Sequence, residues 1–236
     1  MCDTTIELFK YNKLYTTIDK YPIKKFTIYG ERHSGTKWLE SSISRSFNIP
    51  VTWEYGHKHF FGFTDWRVLN TSHNTLFIGI VRNIYSWING MIKIPYHLGS
   101  SNVLDIKPWK SVRPRLNIYD KNWYTKDFYS DIFDMRKHKM EFLYDFMPYL
   151  VDNYIFIRYE DYIRHYDTIL NTIKEVYGFS DISKNIPRPD INKLIIGSMR
   201  RQDYLDRINN SYIWDHVEDR VGYRKINNTR DQNYLL

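Results

Sequence analysis

A short glycine-containing segment has the composition of a phosphate-binding loop. Residues 30–36 (GERHSGT) place Gly30 and Gly35 between an apolar stretch and a segment with helical character. Glycines let a backbone approach a phosphate closely, and the unpaired N–H groups at a helix start favour an anion. The segment therefore predicts a phosphate-binding loop, with a structural strand-to-helix turn as the alternative.

The loop departs from the pattern of nucleoside-triphosphate hydrolases, which is G-x-x-x-x-G-K-[ST]. Thr36 and Lys37 stand in reversed order, so a hydroxyl occupies the lysine position. The apolar stretch at residues 75–81 is followed by Arg82, where these enzymes carry a metal-holding aspartate. The sequence thus disfavours an ATPase or a GTPase.

Three segments together resemble the sulfotransferases that use 3′-phosphoadenosine 5′-phosphosulfate (PAPS) as donor. Residues 32–38 (RHSGTKW) resemble the family's P-K-S-G-T-x-W loop, and more closely a subgroup that carries R-H-S-G-T-N-W. Residues 81–87 (VRNIYSW) resemble its second motif, and residues 158–162 (RYEDY) resemble its R-Y-E-D-L junction. The motifs occur in family order and cover residues 24–100 and 151–178, whereas the stretch 100–150 has no match.

The resemblance implies roles for individual residues. The N–H groups of Ser34, Gly35 and Thr36 would bind the 5′-phosphosulfate, and Arg82 would bind the 3′-phosphate. Trp38 would stack on adenine, with Tyr159 near the same base. The implied donor site comprises Arg32, His33, Ser34, Gly35, Thr36, Lys37, Trp38, Arg82, Ser86, Tyr159, Arg200 and Arg201. Three alternatives stay open: Trp38 as core, Tyr159 as a buried strand-end residue, and Arg82 as a surface ion pair.

Two departures from the family pattern concern the donor site. His33 stands where the family has its catalytic lysine, so His33 or Lys37 would have to neutralise charge on the bridging oxygen. Gly90 stands where the family has a serine that shares the 3′-phosphate, and Ser86 is only a weak substitute. The 3′-phosphate would then be held more loosely, or with help from Arg200 or Arg201.

A histidine pair offers a general base for an acceptor hydroxyl. Residues 56–61 (GHKHFF) fall in the interval where many sulfotransferases carry a K-x-H segment with the base. Histidine titrates near neutrality, which suits this role. We rank His59 first and His57 second, and expect both on one face of a strand with Lys58 facing away. A structural histidine pair is the alternative; a metal site is less favoured because no third ligand is signalled nearby.

The acceptor is expected to bind at an irregular insertion at about residues 95–135. This stretch and its start carry aromatic and basic side chains, which suit a sugar or an anionic glycan: Lys93, Tyr96, His97, Lys107, Trp109, Lys110, Arg113 and Arg115. A solvated insertion with scattered charge is the alternative.

Alternating strands and helices must position these residues. Apolar, β-branched runs predict strands at residues 24–29, 51–55, 75–81 and 153–158. Helices are predicted at residues 37–47, 84–92 after a cap at Asn83, 140–151 and 161–177, with short helices between Pro189 and Gly222. This order predicts one α/β domain over residues 1–236, a P-loop-like three-layer fold with a central, mainly parallel sheet.

The amino-acid composition limits the classes of protein to which this chain can belong. With 236 residues, 42% hydrophobic and 26% charged, the chain suits one globular domain rather than a disordered one. The lone Cys2 excludes an internal disulfide, and no apolar run approaches the roughly 20 residues of a membrane helix. Without a secretory segment, we expect a soluble cytoplasmic protein. The net charge of +7 favours an anionic ligand, whereas the lack of a Lys/Arg block argues against nucleic acid.

The sequence therefore predicts a sulfotransferase that moves a sulfuryl group from PAPS to a hydroxyl, most plausibly on a carbohydrate, without a metal. A P-loop nucleotide or small-molecule kinase is one alternative. A non-catalytic nucleotide-binding protein of the same fold is the other, kept open by His33 and Gly90.

Overall fold

Strands and helices alternate in the computed structural model, which describes residues 13–16, 22–59, 70–93, 122, 124–127, 129–180, 202–211, 214 and 216–227. The strands are β1 (Lys13–Thr16), β2 (Lys25–Gly30), β3 (Thr75–Val81) and β4 (Asn153–Arg158). The helices are α1 (Thr36–Phe47), α2 (Ile84–Lys93), α3 (Ile132–Glu141), α4 (Met147–Leu150), α5 (Tyr159–Arg164), α6 (Tyr166–Tyr177), α7 (Gln202–Ser211) and α8 (His216–Arg220). A π-helical turn, Phe142–Phe146, joins α3 to α4.

The four strands form one sheet in the order β1-β4-β3-β2. Strands β2, β3 and β4 run parallel, and β1 pairs antiparallel with β4. The register pairs Gly30 with Ile80 and Val81 with Arg158, so the carboxyl ends of the parallel strands meet at one edge. Each sulfotransferase-like segment begins at this edge. The predicted α/β class with a mainly parallel sheet is confirmed.

Helices cover both faces of the sheet. Alternate strand residues such as Ile28, Ile78 and Ile155 pack against α1 and α6. The intervening residues, including Phe77 and Phe156, pack against the π-helical turn, α4 and α8. Because both faces are buried, the strands are continuous apolar runs, which is why their bounds were predictable. A third cluster packs α2 against α3 and α7.

The outer edge of β2 is occupied by irregular chain. Phe26 N–H donates to the Pro50 carbonyl (3.0 Å), and the Phe26 carbonyl accepts from Thr52 N–H (2.7 Å). At the other end of the strand, Gly30 N–H donates to the Lys58 carbonyl (2.9 Å). These bonds fix the segment that follows α1 beside the loop after β2.

The predicted strand at residues 51–55 is wrong. Only Val51 bridges to Phe26, after which a turn closes with Gly56 N–H donating to the Trp53 carbonyl (3.1 Å). Gly56 has φ 101°, a left-handed value that favours glycine and ends any extended pairing. The β-branched segment therefore contributes one bridge pair to the sheet and does not form a strand.

Two helix predictions also need correction. The helix predicted from residue 140 begins at Ile132, because the Asp131 carboxylate accepts from Phe133 N–H and Asp134 N–H and caps it. The helix predicted over residues 161–177 is two helices, with a break at His165, and it ends at Gly178 as expected (φ 70°). Most of the predicted insertion at 95–135 lies outside the described residues. Of the helices in the described ranges, none has the length and apolar character that a bilayer crossing requires.

Candidate functional site

A cavity of about 630 Å³ lies beside the loop that follows β2. Two segments line it, the loop with the start of α1 and the turn that carries the histidine pair. The lining residues are Arg32, His33, Gly35, Thr36, Lys37, Trp38, His57, Lys58 and His59. The fold thus brings the first sulfotransferase-like motif and both candidate bases to one cavity.

The loop is held in a tight turn. Ser34 N–H and the Ser34 hydroxyl both donate to the Glu31 carbonyl, at 3.1 and 2.5 Å. The resemblance implied that Ser34 N–H binds the phosphosulfate of PAPS, but this N–H group is hydrogen-bonded inside the turn. His33 (φ 67°) and Gly35 (φ 94°) have left-handed backbones. A left-handed non-glycine residue is strained, and such residues cluster at functional sites.

The start of α1 presents polar N–H groups beside the cavity. Leu39 N–H is the first to bond within the helix, to the Gly35 carbonyl at 3.0 Å. The preceding N–H groups of the first helical turn have no intrahelical acceptor, and within the described chain no side chain caps this end. Together with the helix dipole, these N–H groups make this end of α1 favourable for an anion.

Arg82 is directed at the same loop from the tip of β3. Its Nη1 donates to the His33 carbonyl at 3.1 Å, and its guanidinium lies 4.5 Å from the Tyr159 ring centroid. Arg82 Nε is buried and has no acceptor among the described residues. A buried, unsatisfied donor costs free energy.

The aromatic candidates pack between the loop and the core. The Tyr159 ring fills the space that a Cβ at Gly35 would need, so only glycine fits there. Burial is the main cause that raises the pKa of Tyr159, while Arg82 opposes the rise. Trp38 lines the cavity and also packs edge-on against Tyr162, with ring centroids 4.8 Å apart. Trp38 thus belongs in part to the core, and its stacking on adenine stays a prediction.

The two departures from the family pattern are in contact. A Cβ at Gly90 would lie 2.7 Å from both Cβ and Cγ of His33. A serine at position 90 is incompatible with His33 in this position. Ser86 does not replace that serine, because it is buried in the cap of α2. There Asn83 Oδ1 accepts from Ser86 N–H (2.8 Å) and Asn83 Nδ2 donates to the Ser86 hydroxyl (3.1 Å).

The histidine pair lies in a turn and not on a strand, and Lys58 also lines the cavity instead of facing away from it. Lys58 Nζ donates to Glu40 (3.0 Å). His59 N–H donates to His57 Nδ1 at 3.3 Å. The pKa of His57 is lowered by burial and by the neighbouring charges of Arg32 and Lys58.

His59 is fixed in one tautomer. Its Nδ1 lies 2.7 Å from the Gly30 carbonyl oxygen, which can only accept, so Nδ1 carries the proton and Nε2 is the acceptor. The pKa of His59 is lowered to about 3, mainly by burial and also by Arg32, His57 and Lys139, while the hydrogen bond to Gly30 opposes the shift. At neutral pH His59 is therefore a neutral imidazole with an accepting nitrogen, and its low pKa makes that nitrogen a weaker base than the nitrogen of an ordinary histidine.

Buried charges hold these segments together. Lys139 Nζ from α3 pairs with Glu31 (2.8 Å) and donates to the His59 carbonyl (3.0 Å), which joins the loop to the histidine turn. Arg136, also from α3, pairs with the fully buried Glu218 (2.6 Å) and donates to the Arg82 carbonyl (2.8 Å).

Glu160, from the third sulfotransferase-like segment, fixes the residue after Arg82. Its carboxylate accepts from Asn83 N–H at 3.1 Å and from the Tyr223 hydroxyl at 2.8 Å. The sequence analysis missed Lys139, Arg136, Glu218 and Glu160 as site supports. Their partners lie 54 to 108 residues away along the chain, so no local pattern could have identified these contacts.

Some candidates lie outside the described residues. These are Arg200 and Arg201 for the donor and, for the acceptor, Tyr96, His97, Lys107, Trp109, Lys110, Arg113 and Arg115; the Lys93 side chain is likewise not described. Within the described ranges, no three His, Cys, Asp or Glu side chains converge on a possible metal position.

Comparison of the sequence with protein-family models and with curated proteins found no match.

Proposed function

We propose that this protein is a sulfotransferase that transfers a sulfuryl group from PAPS to a hydroxyl, most plausibly on a carbohydrate. The observation that carries the proposal is the convergence of Arg82 and the uncapped start of α1 on one loop. The two features come from adjacent parallel strands, and each suits an anion.

The residues fit a nucleotide with phosphates at both ends. The N–H groups of Gly35 and Thr36 at the start of α1 would hold the phosphosulfate. Arg82 would hold the 3′-phosphate through its guanidinium group. Trp38 lines the cavity and Tyr159 lies against Gly35, so both rings are near the place for adenine.

The chemistry needs charge stabilisation and a proton acceptor. The bond from sulfur to the bridging oxygen breaks as a bond from sulfur to the acceptor oxygen forms, and adenosine 3′,5′-bisphosphate leaves with the bridging oxygen. His59 Nε2 would take the acceptor proton. His33, Lys37 and Arg32 line the cavity and would stabilise the charge that spreads over the transferred group.

The test has two stages. Calorimetry with adenosine 3′,5′-bisphosphate measures binding, and a transfer assay with labelled PAPS over a panel of glycans and phenols, without added metal, measures catalysis. We expect both to succeed. No bisphosphate binding would refute the proposal, and binding without transfer to any acceptor would favour a non-catalytic nucleotide-binding protein.

A kinase is the other enzyme class to separate. A kinase would need a metal-holding aspartate after β3, and this chain has Arg82 at that position. The sequence therefore disfavours a kinase. Phosphate transfer from ATP that depends on Mg²⁺, with no transfer from PAPS, would establish the kinase instead.

A further inference from the structure

An exposed tryptophan stands at the margin of the cavity. Trp53 is 42% exposed. Its ring stacks on His57, with centroids 6.0 Å apart and planes 23° from parallel, and Lys58 Nζ lies 5.3 Å from its centroid. Both neighbours line the cavity. Trp53 is not itself among the described lining residues, but it contacts two of them and presents a flat apolar surface that is partly open to solvent.

The turn that carries Trp53 is firmly placed. Gly56 N–H donates to the Trp53 carbonyl, and the next residues are tied to Gly30 through the Lys58 carbonyl (2.9 Å) and the His59 imidazole (2.7 Å). A rigid support lowers the entropy cost of binding at an aromatic surface. The ring is thus held at a set position relative to the loop.

The charge of the cavity wall is positive. Arg32, Lys37 and Lys58 line it, and among the described residues no acidic side chain does so. Lys58 pairs with Glu40 at the side of the cavity. Burial is the main cause that lowers the pKa of both histidines, and the charge of Arg32 lowers it further in each case. An anion would be attracted to this wall.

We infer that Trp53, His57 and Lys58 form a subsite for an acidic saccharide, whose sugar face stacks on Trp53 and whose acidic group faces Lys58 and Arg32. Sugar rings present flat C–H faces that suit an aromatic platform, and their carboxylates or sulfates suit the adjacent cations. This inference rests on the proposed function, since it names the acceptor of the same site. His59 lies next to this subsite, where an acceptor hydroxyl would meet its Nε2.

The test uses the whole chain and an unsulfated, glucuronate-containing hexasaccharide, with its carboxyl-reduced form as the neutral counterpart. Calorimetry at low ionic strength should show binding of the acidic form and at least about tenfold weaker binding of the neutral form. Trp53→Ala should weaken binding of the acidic form about tenfold, and Trp53→Phe should recover part of the loss. Tyr149→Ala removes a ring that is 85% exposed elsewhere and should change nothing.

Lys58→Met gives a second variant, because it keeps the packing of the stem and removes the charge. It should weaken binding of the acidic form and leave binding of the neutral form unchanged. Arg220→Met, which removes an exposed cation paired with Asp145, is the control. Equal binding of both saccharides, or of an oligonucleotide of the same charge, would overturn the inference.

Donor binding separates this inference from the proposed function. Trp53→Ala should bind adenosine 3′,5′-bisphosphate as the wild type does, which also shows that the variant is folded. Bisphosphate binding without saccharide binding would overturn the acceptor subsite alone. Saccharide binding at Trp53 without bisphosphate binding would support the subsite and refute the proposed function.

Discussion

His33 lies directly against Gly90, with 2.7 Å between its Cβ and Cγ and the place where a Cβ at residue 90 would stand. The loop after β2 and helix α2 can approach this closely because residue 90 has no side chain. The position of His33 and the lack of a side chain at residue 90 therefore depend on each other.

This contact predicts a change of sign in a mutant cycle. In the wild type, Gly90→Ala should lower the free energy of unfolding by about 1–3 kcal/mol, because the new methyl group overlaps His33. In a His33→Gly background, Gly90→Ala should raise it by up to about 1 kcal/mol, since alanine favours a helix. Urea unfolding of the four proteins measures the coupling. Equal effects in both backgrounds would show that the two residues do not interact.

Arg82 should determine whether the 3′-phosphate is recognised. Arg82→Met keeps an apolar contact with Tyr159 and removes the donors, so affinity for adenosine 3′,5′-bisphosphate should fall by about 1.5–3 kcal/mol, or roughly ten- to hundredfold. Calorimetry with adenosine 5′-monophosphate is the control, because this ligand lacks the 3′-phosphate and its affinity should not change. A matching loss for both nucleotides would contradict the assignment.

His59→Asn should separate catalysis from binding. The asparagine amide can keep the hydrogen bond to the Gly30 carbonyl, while the accepting Nε2 is lost. The transfer rate should fall by roughly 10²-fold, the lower end of the usual contribution of a general base, because the low pKa makes His59 a weak base. Bisphosphate affinity should stay within about twofold. His57→Asn is the matched control and should reduce the rate far less. If the two variants lost rate equally, the ranking of the two histidines would be wrong.

The buried His59 also predicts how stability depends on pH. The unfolded chain binds a proton on this imidazole below its ordinary pKa of 6.5, while the folded protein resists protonation down to a pKa of about 3. The contribution to stability is therefore complete above pH 6.5 and is lost as the pH falls from 6.5 towards 3. The slope is at most about 1.4 kcal/mol per pH unit. Unfolding of His59→Asn in the same range should show a shallower decline; an identical decline would contradict the assigned shift.

The Arg136–Glu218 pair should matter more when it is broken than when it is replaced. Arg136→Met leaves the fully buried Glu218 without this cation, which should cost about 3–5 kcal/mol in the free energy of unfolding. The double variant Arg136→Met with Glu218→Leu should recover most of this loss. Urea unfolding compares the two, and a double variant no more stable than the single one would contradict the prediction.

The sequence predicted those elements whose residues all have the same kind of environment from one end to the other. Strands β3 and β4 are buried on both faces, so their composition alone located them, and Gly178 marked the end of α6. Prediction from the sequence failed where a single contact outside the segment determines its structure. Residues 51–55 suit a strand, but the turn at Gly56 removes them from the sheet after a single bridge.

The same limit applies to the candidate site. The motif residues could be found because the loop and the strand tips are local patterns. The position of His33 over Gly90 could not be predicted, because it depends on how α2 packs against the loop. Lys139 is a further example, since a lysine within an ordinary helix gives no sign that it will be buried between Glu31 and the His59 carbonyl.

The occupied margin of β2 limits how molecules of this protein can associate. Along that margin the main-chain groups of both Phe26 and Gly30 already have partners, from Pro50, Thr52, Lys58 and His59. A neighbouring molecule therefore finds no continuous row of donors and acceptors on which to add a strand, which is the usual route to sheet-driven aggregation. The segment that carries the histidine pair therefore also covers the outer edge of β2 and hinders the addition of a strand there.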